Sequence, residues 1–216
     1  MAHKISFISQ SGNVMKSSLA LAMAVEASRN GLQVGVADLD REHLTLSEFR
    51  AQRLDMEIEP VFPVHEVKSA QDALKAFADE DLFIIDCPSR ASQATLTVAQ
   101  GSDLIVQPTT AGKKDLDLAI KTFYQLVAEG VDISRLLFVI TRVGTAAELR
   151  KAEAYLKAAE IDGQNFAVLS SAIWEKPAYR SAMNDGFSIV ETPYVTLNDA
   201  AKAVIHQILT VCLRHD

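Results

Sequence analysis

Residues 5–24 constrain the fold of this chain more than any other stretch. They open with Ile5-Ser6-Phe7-Ile8, a β-branched and aromatic run that is typical of a buried strand. A polar turn then leads to Lys16-Ser17-Ser18, and an apolar segment rich in Ala and Leu follows, with high helix propensity. This order of strand, tight turn, Lys-Ser and helix is typical of a phosphate-binding loop. In such a loop the amide groups and the dipole of a helix N-terminus favour an anion.

The chemistry of a phosphate-binding loop gives two of these side chains specific roles. Lys16 would reach the β- and γ-phosphates, and the hydroxyl of Ser17 would bind Mg²⁺. The alternative is an ordinary strand–loop–helix corner in which Lys16 is a solvated residue of the first helical turn. The loop alone does not decide between these interpretations, because the usual glycines are incomplete.

Composition and charge exclude several classes of protein. A chain of 216 residues with 49% hydrophobic residues can bury a sizeable core, and we expect a single domain over residues 1–216. A net charge of −7 argues against a general nucleic-acid binder, although a local basic patch stays possible. Cys87 and Cys212 lie far apart in the sequence and suggest no disulfide framework. With no signal-peptide pattern and no membrane-spanning run, the sequence predicts a cytoplasmic protein without a membrane partner.

Strand-like and helix-like segments alternate along the chain. The predicted strands after the first are 33–38, 58–64 (weakened by two prolines), 82–86, 104–106 (halted by Pro108), 136–141 and 166–169. The predicted helices after the first are 43–53, 70–78, 89–100, 115–129, 146–159, 178–185 and 197–213. Apolar strands separated by helices indicate a parallel sheet that is covered on both faces. The predicted fold is therefore a three-layer α/β fold with a mostly parallel twisted sheet.

Carboxylates follow two of the predicted strands. The second strand ends in Asp38-Leu39-Asp40, and the fourth ends in Asp86-Cys87. A single Asp at such a position is more often a helix cap or a turn residue. In a parallel sheet, however, ligands bind beyond the carboxyl ends of the strands, so the carboxylates at both strand ends would face Lys16 and Ser17. Carboxylates placed there can hold Mg²⁺ and orient a water for attack on a phosphate, and together they predict a nucleotide site.

These motifs resemble those of the ParA/MinD family of deviant Walker A ATPases, plasmid-partition branch. Residues 12–18 resemble the family's phosphate loop, written KGGxGK[ST]T, and residues 84–88 resemble its Walker B strand. Asp38-Leu39-Asp40 is similar to its second acidic motif, and residues 106–109 to the proline-containing strand end near its adenine pocket. A late block of the plasmid-partition branch is matched by Lys176, Tyr179, Ala182, Gly186, Val190 and Glu191.

The resemblance implies a slow ATPase of the P-loop fold that uses ATP/ADP and Mg²⁺. It implies catalytic roles for Lys16 and Asp40, and Mg²⁺ ligation by Ser17, Asp40 and Asp86. The nucleotide-binding residues that it implies are Gly12, Asn13, Val14, Met15, Lys16, Ser17, Ser18, Pro108, Thr141 and Arg142.

The implied partners are a second copy of the chain, joined by ATP, and a ParB-like cargo adaptor that stimulates hydrolysis. Plasmid or DNA segregation would add non-specific DNA binding and a nucleoid-associated location. The candidate DNA contacts are Lys176, Arg180, Lys202 and Arg214.

Two positions depart from the family pattern. The signature Lys, which reaches the partner's phosphates in the family, is replaced by Ser11, and the Gly before the Walker Lys is replaced by Met15. The second position commonly needs a backbone conformation that favours Gly. Lys113 or Lys114 is an alternative source of the missing charge. The departures leave open a second interpretation, in which the same fold is a nucleotide-binding scaffold or adaptor with little or no turnover.

Overall fold

The computed structural model describes residues 3–40, 44–75, 80–89 and 93–213. Its strands are β1 (His3–Phe7), β2 (Val34–Asp38), β3 (Val64–Glu66), β4 (Leu82–Asp86), β5 (Leu104–Thr110), β6 (Leu136–Thr141), β7 (Glu160–Ile161), β8 (Gln164–Asn165) and β9 (Ala167–Val168). Its helices are α1 (Lys16–Arg29), α2 (Thr45–Asp55), α3 (Ala70–Lys75), α4 (Gln93–Gly101), α5 (Lys113–Ala128), α6 (Ala146–Lys157), α7 (Pro177–Asn184) and α8 (Val195–Cys212). A short 3₁₀ turn, Ile133–Arg135, precedes β6.

Seven strands form one parallel sheet in the order β3-β2-β4-β1-β5-β6-β9. Strands β2, β4 and β6 are buried along their whole length and β1 is buried from Ile5 to Phe7, as expected of a sheet covered on both faces. Alternate strand residues supply two separate cores. One core packs against α1, α2, α7 and α8, and the other packs against α3, α4, α5 and α6. The predicted three-layer α/β fold is confirmed.

Helix α1 is the central helix of its layer. Its residues from Leu19 to Ala27 are buried on all sides, which suits a run of Ala, Leu and Met without charges before Glu26. The helix ends at Arg29, and Gly31, two residues later, has a φ of +84°, a conformation that glycine adopts without a steric penalty. There the amides of Leu32 and Gly31 donate to the carbonyls of Ala27 and Ser28, which closes the helix in a Schellman motif.

Two predicted strands are wrong in extent. The strand predicted over 58–64 is present only as Val64–Glu66, after Pro63, because the prolines before it have no N–H to give to a ladder. The strand predicted to halt at Pro108 continues to Thr110. Val106 accepts from the amide of Ile8, so Pro108, two residues later, faces the same side of the strand. In a regular parallel ladder the N–H of residue 108 would donate next to the carbonyl of Ile8, so Pro108 ends the pairing of β5 with β1. On its other side β5 stays paired with β6 as far as Thr110, and the strand continues.

The predicted helices are present with shifted bounds, and parts of three of them lie outside the described residues. These parts are His43, residues 76–78 and residues 90–92. The β7–β8 hairpin was not predicted; its strands have two residues each, too few to show a periodic pattern. Cys87 and Cys212 are both buried and are not joined in a disulfide. Within the described ranges, no helix has the length and apolar character needed to cross a membrane.

The late block that resembles the plasmid-partition branch joins helices of one layer of the fold. Arg53 of α2 is almost fully buried, and its guanidinium donates to both carboxylate oxygens of Glu191, at 2.6 and 3.1 Å. The same group donates to the carbonyl of Gly186 at 3.1 Å, while Tyr179 donates to the carbonyl of Leu197 at 2.9 Å. Gly186, Glu191 and Tyr179 therefore fix the chain between α7 and α8 against α2.

Candidate nucleotide-binding site

The loop between β1 and α1 leads directly into an uncapped helix N-terminus. Asn13 and Met15 both adopt left-handed backbone conformations, with φ of 60° and 61°. Lys16 is the first residue of α1, and the residue before it makes no side-chain cap; the first turn carries no acidic residue. The first amides of a helix have no partner inside the helix, so this end is suited to an anion.

Two residues of the neighbouring strand end hold the loop in place. Thr141 is fully buried, and its hydroxyl donates to the carbonyl of Val14 at 3.0 Å. Arg142 donates to the carbonyl of Asn13 at 3.1 Å and pairs with Glu175 at 2.5 Å. The hydrogen bond from Arg142 holds the pKa of Glu175 below its usual value. Thr141 thus supports the loop from beneath, and Arg142 joins the loop to the segment before α7.

Lys16, Ser17 and Asp86 form one hydrogen-bonded group at the start of α1. Lys16 Nζ lies 2.5 Å from Asp86 Oδ1, and Ser17 Oγ donates to Asp86 Oδ2 at 2.6 Å. Lys16 is 5% exposed and Asp86 is 0% exposed. Burial raises the pKa of Asp86, and the charge and hydrogen bond of Lys16 oppose that rise. The structure therefore brings together three of the residues predicted from the sequence, although Asp86 is 70 residues from Lys16 and 69 from Ser17 along the chain.

The second acidic motif contributes two carboxylates with different surroundings. Asp38 is fully buried and accepts from the amides of Asp40 at 3.0 Å and Leu46 at 3.1 Å. Burial, together with the charge of Asp86, raises the pKa of Asp38 to about 6. Asp40 is half-buried, and its charge lies close enough to raise the pKa of Asp86, after the larger effects of burial and Lys16. Asp40 is thus the more accessible carboxylate at this edge.

The donors at this edge suit Mg²⁺ better than a metal with an all-protein ligand set. Within the described ranges, no three His, Cys, Asp or Glu side chains are grouped closely enough to hold a metal ion. Mg²⁺ commonly binds through one or two carboxylates together with substrate phosphates and water. The hydroxyl of Ser17 and the carboxylate of Asp86, beside a phosphate-binding helix end, fit that pattern.

A cleft adjoins the outer side of the loop. It has a volume of about 140 Å³ and is lined by Asn13, Met15, Ser18, Arg142, Trp174, Glu175, Lys176, Tyr179, Arg180 and Met183. Four of these residues, Asn13, Met15, Ser18 and Arg142, were predicted to bind nucleotide. Pro108 is buried inside β5 and does not line the cleft. The arrangement offers an anion-binding helix end next to a partly apolar cleft with a basic rim.

Ser11 stands where the family pattern has its signature Lys, and it meets a carboxylate. Ser11 Oγ donates to Asp115 Oδ1 at 2.8 Å, and Thr110 Oγ1 donates to Asp115 Oδ2 at 2.5 Å. Lys113, a proposed substitute for the missing charge, pairs with Asp117 at 2.7 Å and is 76% exposed. Lys114 is exposed as well. The position that carries a cation in the family pattern therefore has an acidic neighbour here.

Residues 5–188 match the family model described as the CobQ/CobB/MinD/ParA nucleotide binding domain. The chain belongs to this family. The predicted membership of the ParA/MinD group is confirmed, and with it the general assignment of a P-loop nucleotide-binding domain. No curated protein matches the sequence closely enough to be called a relative.

Solved structures of the MinD and ParA type share the fold over nearly the whole chain. A putative plasmid partition protein from Borrelia burgdorferi, bound to AMPPNP, has a TM-score of 0.70 at 17% identity, with 96% of this chain and 99% of that chain covered. The cell division ATPase MinD of Pyrococcus furiosus has a TM-score of 0.73 at 18% identity, with 98% and 100% covered. MinD of Pyrococcus horikoshii, complexed with Mg-ADP, has a TM-score of 0.66 at 16% identity, with 94% and 96% covered.

The described basic residues considered for DNA binding lie in two places in this ParA/MinD-type fold, the cleft beside the loop and the surface of α8 next to α1. Lys176 and Arg180 line the cleft beside the loop, and Arg180 lies 3.6 Å from Glu175. Lys202 lies 3.7 Å from Glu26, ten residues along α1 from Lys16, or about 15 Å along the helix axis. Arg214 lies outside the described residues.

Sequence reasoning missed features of Asp38, Asn13 and Asp115 at the site, although Asn13 was among the predicted nucleotide-binding residues. Asp38 was noted only as part of its motif, although its place as the last residue of an apolar strand was a usable signal. Asn13 occupies the second Gly of the family pattern and adopts a left-handed conformation, which Asn tolerates better than most residues. The sequence gives no signal that Asp115 meets Ser11, because 104 residues separate them.

Proposed function

We propose that this chain is an ATP- and Mg²⁺-dependent switch of the ParA type, which closes into a homodimer with ATP and reopens on slow hydrolysis. The observation that carries the proposal is the group formed by Lys16, Ser17 and Asp86 at the uncapped start of α1. A buried ammonium, a hydroxyl and a carboxylate beside free helix amides are the donors and acceptors that a triphosphate and its cation require.

Each side chain of this group then has a defined role. Lys16 binds a phosphate oxygen in exchange for Asp86, Ser17 ligates the cation, and Asp86 holds the cation's water shell. Asp40, the more accessible carboxylate, orients the attacking water. Mg²⁺, when bound, would offset the charge that develops on the phosphates. Gly12, Asn13, Val14, Met15 and Ser18 supply the loop, and Arg142 and Thr141 keep it in place.

Plasmid or DNA segregation is the biological role that we propose, in the cytoplasm and with a ParB-like adaptor as the stimulating partner. It is supported by the family and by the partition and cell-division proteins that share the fold. Non-specific DNA remains a proposed partner, and the positions of the basic residues reduce the number of candidate residues that could contact it. Lys176 and Arg180 face the nucleotide cleft, so Lys202 is the described candidate that lies away from it.

A second candidate function, a nucleotide-binding scaffold with little turnover, is favoured by one observation. Ser11 cannot carry a positive charge to a partner's phosphates, and Asp115, only 2.8 Å away, would repel them. Transition-state charge would therefore be less stabilised than in the family pattern.

Calorimetric titration and steady-state turnover decide between these functions. The chain is titrated with ATP in Mg²⁺ and in excess chelator, and turnover is followed with and without long duplex DNA at low salt. A switch binds ATP in a Mg²⁺-dependent manner, dimerises and turns it over slowly, whereas a scaffold binds without measurable turnover. Failure to bind ATP in the presence of Mg²⁺ contradicts both functions. A DNA effect that does not weaken steeply with added salt contradicts phosphate contacts as its cause.

A further inference from the structure

The cleft beside the phosphate loop has an apolar side and a charged side. Met15, Trp174, Tyr179 and Met183 supply apolar side chains to its wall. Its volume of about 140 Å³ is below the roughly 300 Å³ at which pockets for drug-sized ligands begin, so it suits a single planar ring system. Because Ser18 and Asn13 of the loop also line it, a ring held there would be continuous with an anion bound at the start of α1.

Met15 occupies a position where glycine would be expected on conformational grounds. Its φ of 61° lies in the left-handed region, which glycine adopts freely and a side chain disfavours. The side chain is nonetheless half-buried, packs against the core under α1 and lines the cleft. A function of the Met15 side chain in the cleft would explain why a residue with a backbone penalty occupies this position.

We infer that the side chain of Met15 is a specificity-determining contact for the base of a bound nucleotide, which it holds in the cleft together with Trp174. The inference rests on the proposed function. A thioether makes favourable contacts with the edge and face of an aromatic ring, and an indole offers a stacking surface. The phosphates are held separately, by Lys16 and the amides at the start of α1. Met15 therefore favours ligands that carry a base over ligands that are only chains of phosphate.

The test compares ATP with inorganic tripolyphosphate, both with Mg²⁺. Trp174 is the single tryptophan of the chain, so its fluorescence reports directly on ligand in the cleft. Affinities are measured for the wild type, Met15→Ala, Met15→Gly and Met15→Leu, with tripolyphosphate measured by displacement of ATP. The ratio of the two affinities isolates the side chain, because any change in the backbone of the loop acts on both ligands.

We expect Met15→Ala and Met15→Gly to lower the preference for ATP over tripolyphosphate by about two- to tenfold, roughly the range of a sulfur–aromatic contact. Met15→Leu keeps the apolar bulk but lacks the sulfur, so its preference should lie between those of the wild type and Met15→Ala. Thermal unfolding without ligand checks that each variant is folded. An unchanged preference in both truncated variants overturns the role of Met15 and leaves the proposed function standing. A wild-type protein that binds neither ligand instead contradicts the proposed function, and the inference with it.

Discussion

The pair formed by Lys16 and Asp86 makes a quantitative prediction about stability. Both side chains are buried, and Lys16 Nζ lies 2.5 Å from Asp86 Oδ1. Lys16→Met removes the ammonium while keeping most of the volume of the side chain. It leaves the carboxylate of Asp86 with the hydroxyl of Ser17 as its remaining donor in the site group. Asp86 must then stay charged without its counter-ion or bind a proton.

The loss of stability in Lys16→Met depends on which of these two states Asp86 adopts. Removing one partner of a buried ion pair typically costs about 3–5 kcal/mol of the free energy of unfolding. Protonation of Asp86 limits that cost, because each unit of pH above a carboxyl pKa costs about 1.4 kcal/mol. The loss should therefore be larger at pH 8 than at pH 5.5. For a chain of this length 3–5 kcal/mol corresponds to a fall in Tm of about 6–20 °C.

The double variant Lys16→Met/Asp86→Asn should recover stability to within about 2 kcal/mol of the wild type, because no unpaired charge remains. Urea unfolding of the wild type, both single variants and the double variant gives the coupling free energy. The exposed pair of Lys113 and Asp117 is a matched control, and Lys113→Met/Asp117→Asn should show no measurable coupling. A coupling below about 1 kcal/mol for the buried pair would refute the reasoning. Because Lys16→Met is expected to lose stability as well as a phosphate contact, nucleotide binding is better compared in the double variant and in Asp86→Asn.

Three further predictions concern the carboxylates around the site. Asp38 has a pKa of about 6 against 3.8 when unfolded, so the folded protein keeps this proton to a higher pH. As pH rises from 4 to 7, urea unfolding should therefore show the stability of the wild type falling by about 2 kcal/mol relative to Asp38→Asn, and a constant difference would contradict the raised pKa. Asp40→Ala should keep ATP binding in calorimetry but lower turnover by about a hundredfold, whereas Asp86→Ala should weaken the Mg²⁺-dependent binding of ATP itself. Identical binding and turnover in the two variants would contradict their separate roles. Ser11→Lys should raise turnover and the dimer fraction only when combined with Asp115→Asn, because Asp115 would otherwise neutralise the new ammonium. An equal gain from Ser11→Lys alone would show that Asp115 does not neutralise it.

Much of the fold was predictable because its strands are apolar throughout. Residues 82–86 were predicted as a strand with a terminal carboxylate, and β4 has those bounds. The errors came from prolines, whose effect depends on the neighbouring strand. Pro108 ends the pairing of β5 with β1, but β5 stays paired with β6 as far as Thr110, and that pairing is not local to residues 104–110. Pro60 and Pro63 have no comparable arrangement, so the strand begins only after them.

The site was predictable where its residues follow the ends of strands or the start of a helix. Lys16, Ser17 and Asp86 meet because parallel topology places those ends at one edge of the sheet. Contacts from distant segments carried no such signal. Trp174 lines the cleft although it belongs to none of the predicted site residues, and Asp115 reaches Ser11 from the start of α5.

The phosphate loop keeps a left-handed path at the two positions where this chain replaces glycine, so something other than glycine must hold that path. Asn13 and Met15 together bear a penalty of about 2 kcal/mol or more. The hydrogen bonds from Thr141 to Val14 and from Arg142 to Asn13 contribute about 0.5–1.5 kcal/mol each and are of the size needed to offset it. Arg142 also pairs with Glu175, so this one side chain links the loop to the segment before α7. A ligand that displaces Glu175 in the cleft would therefore act on the loop through Arg142.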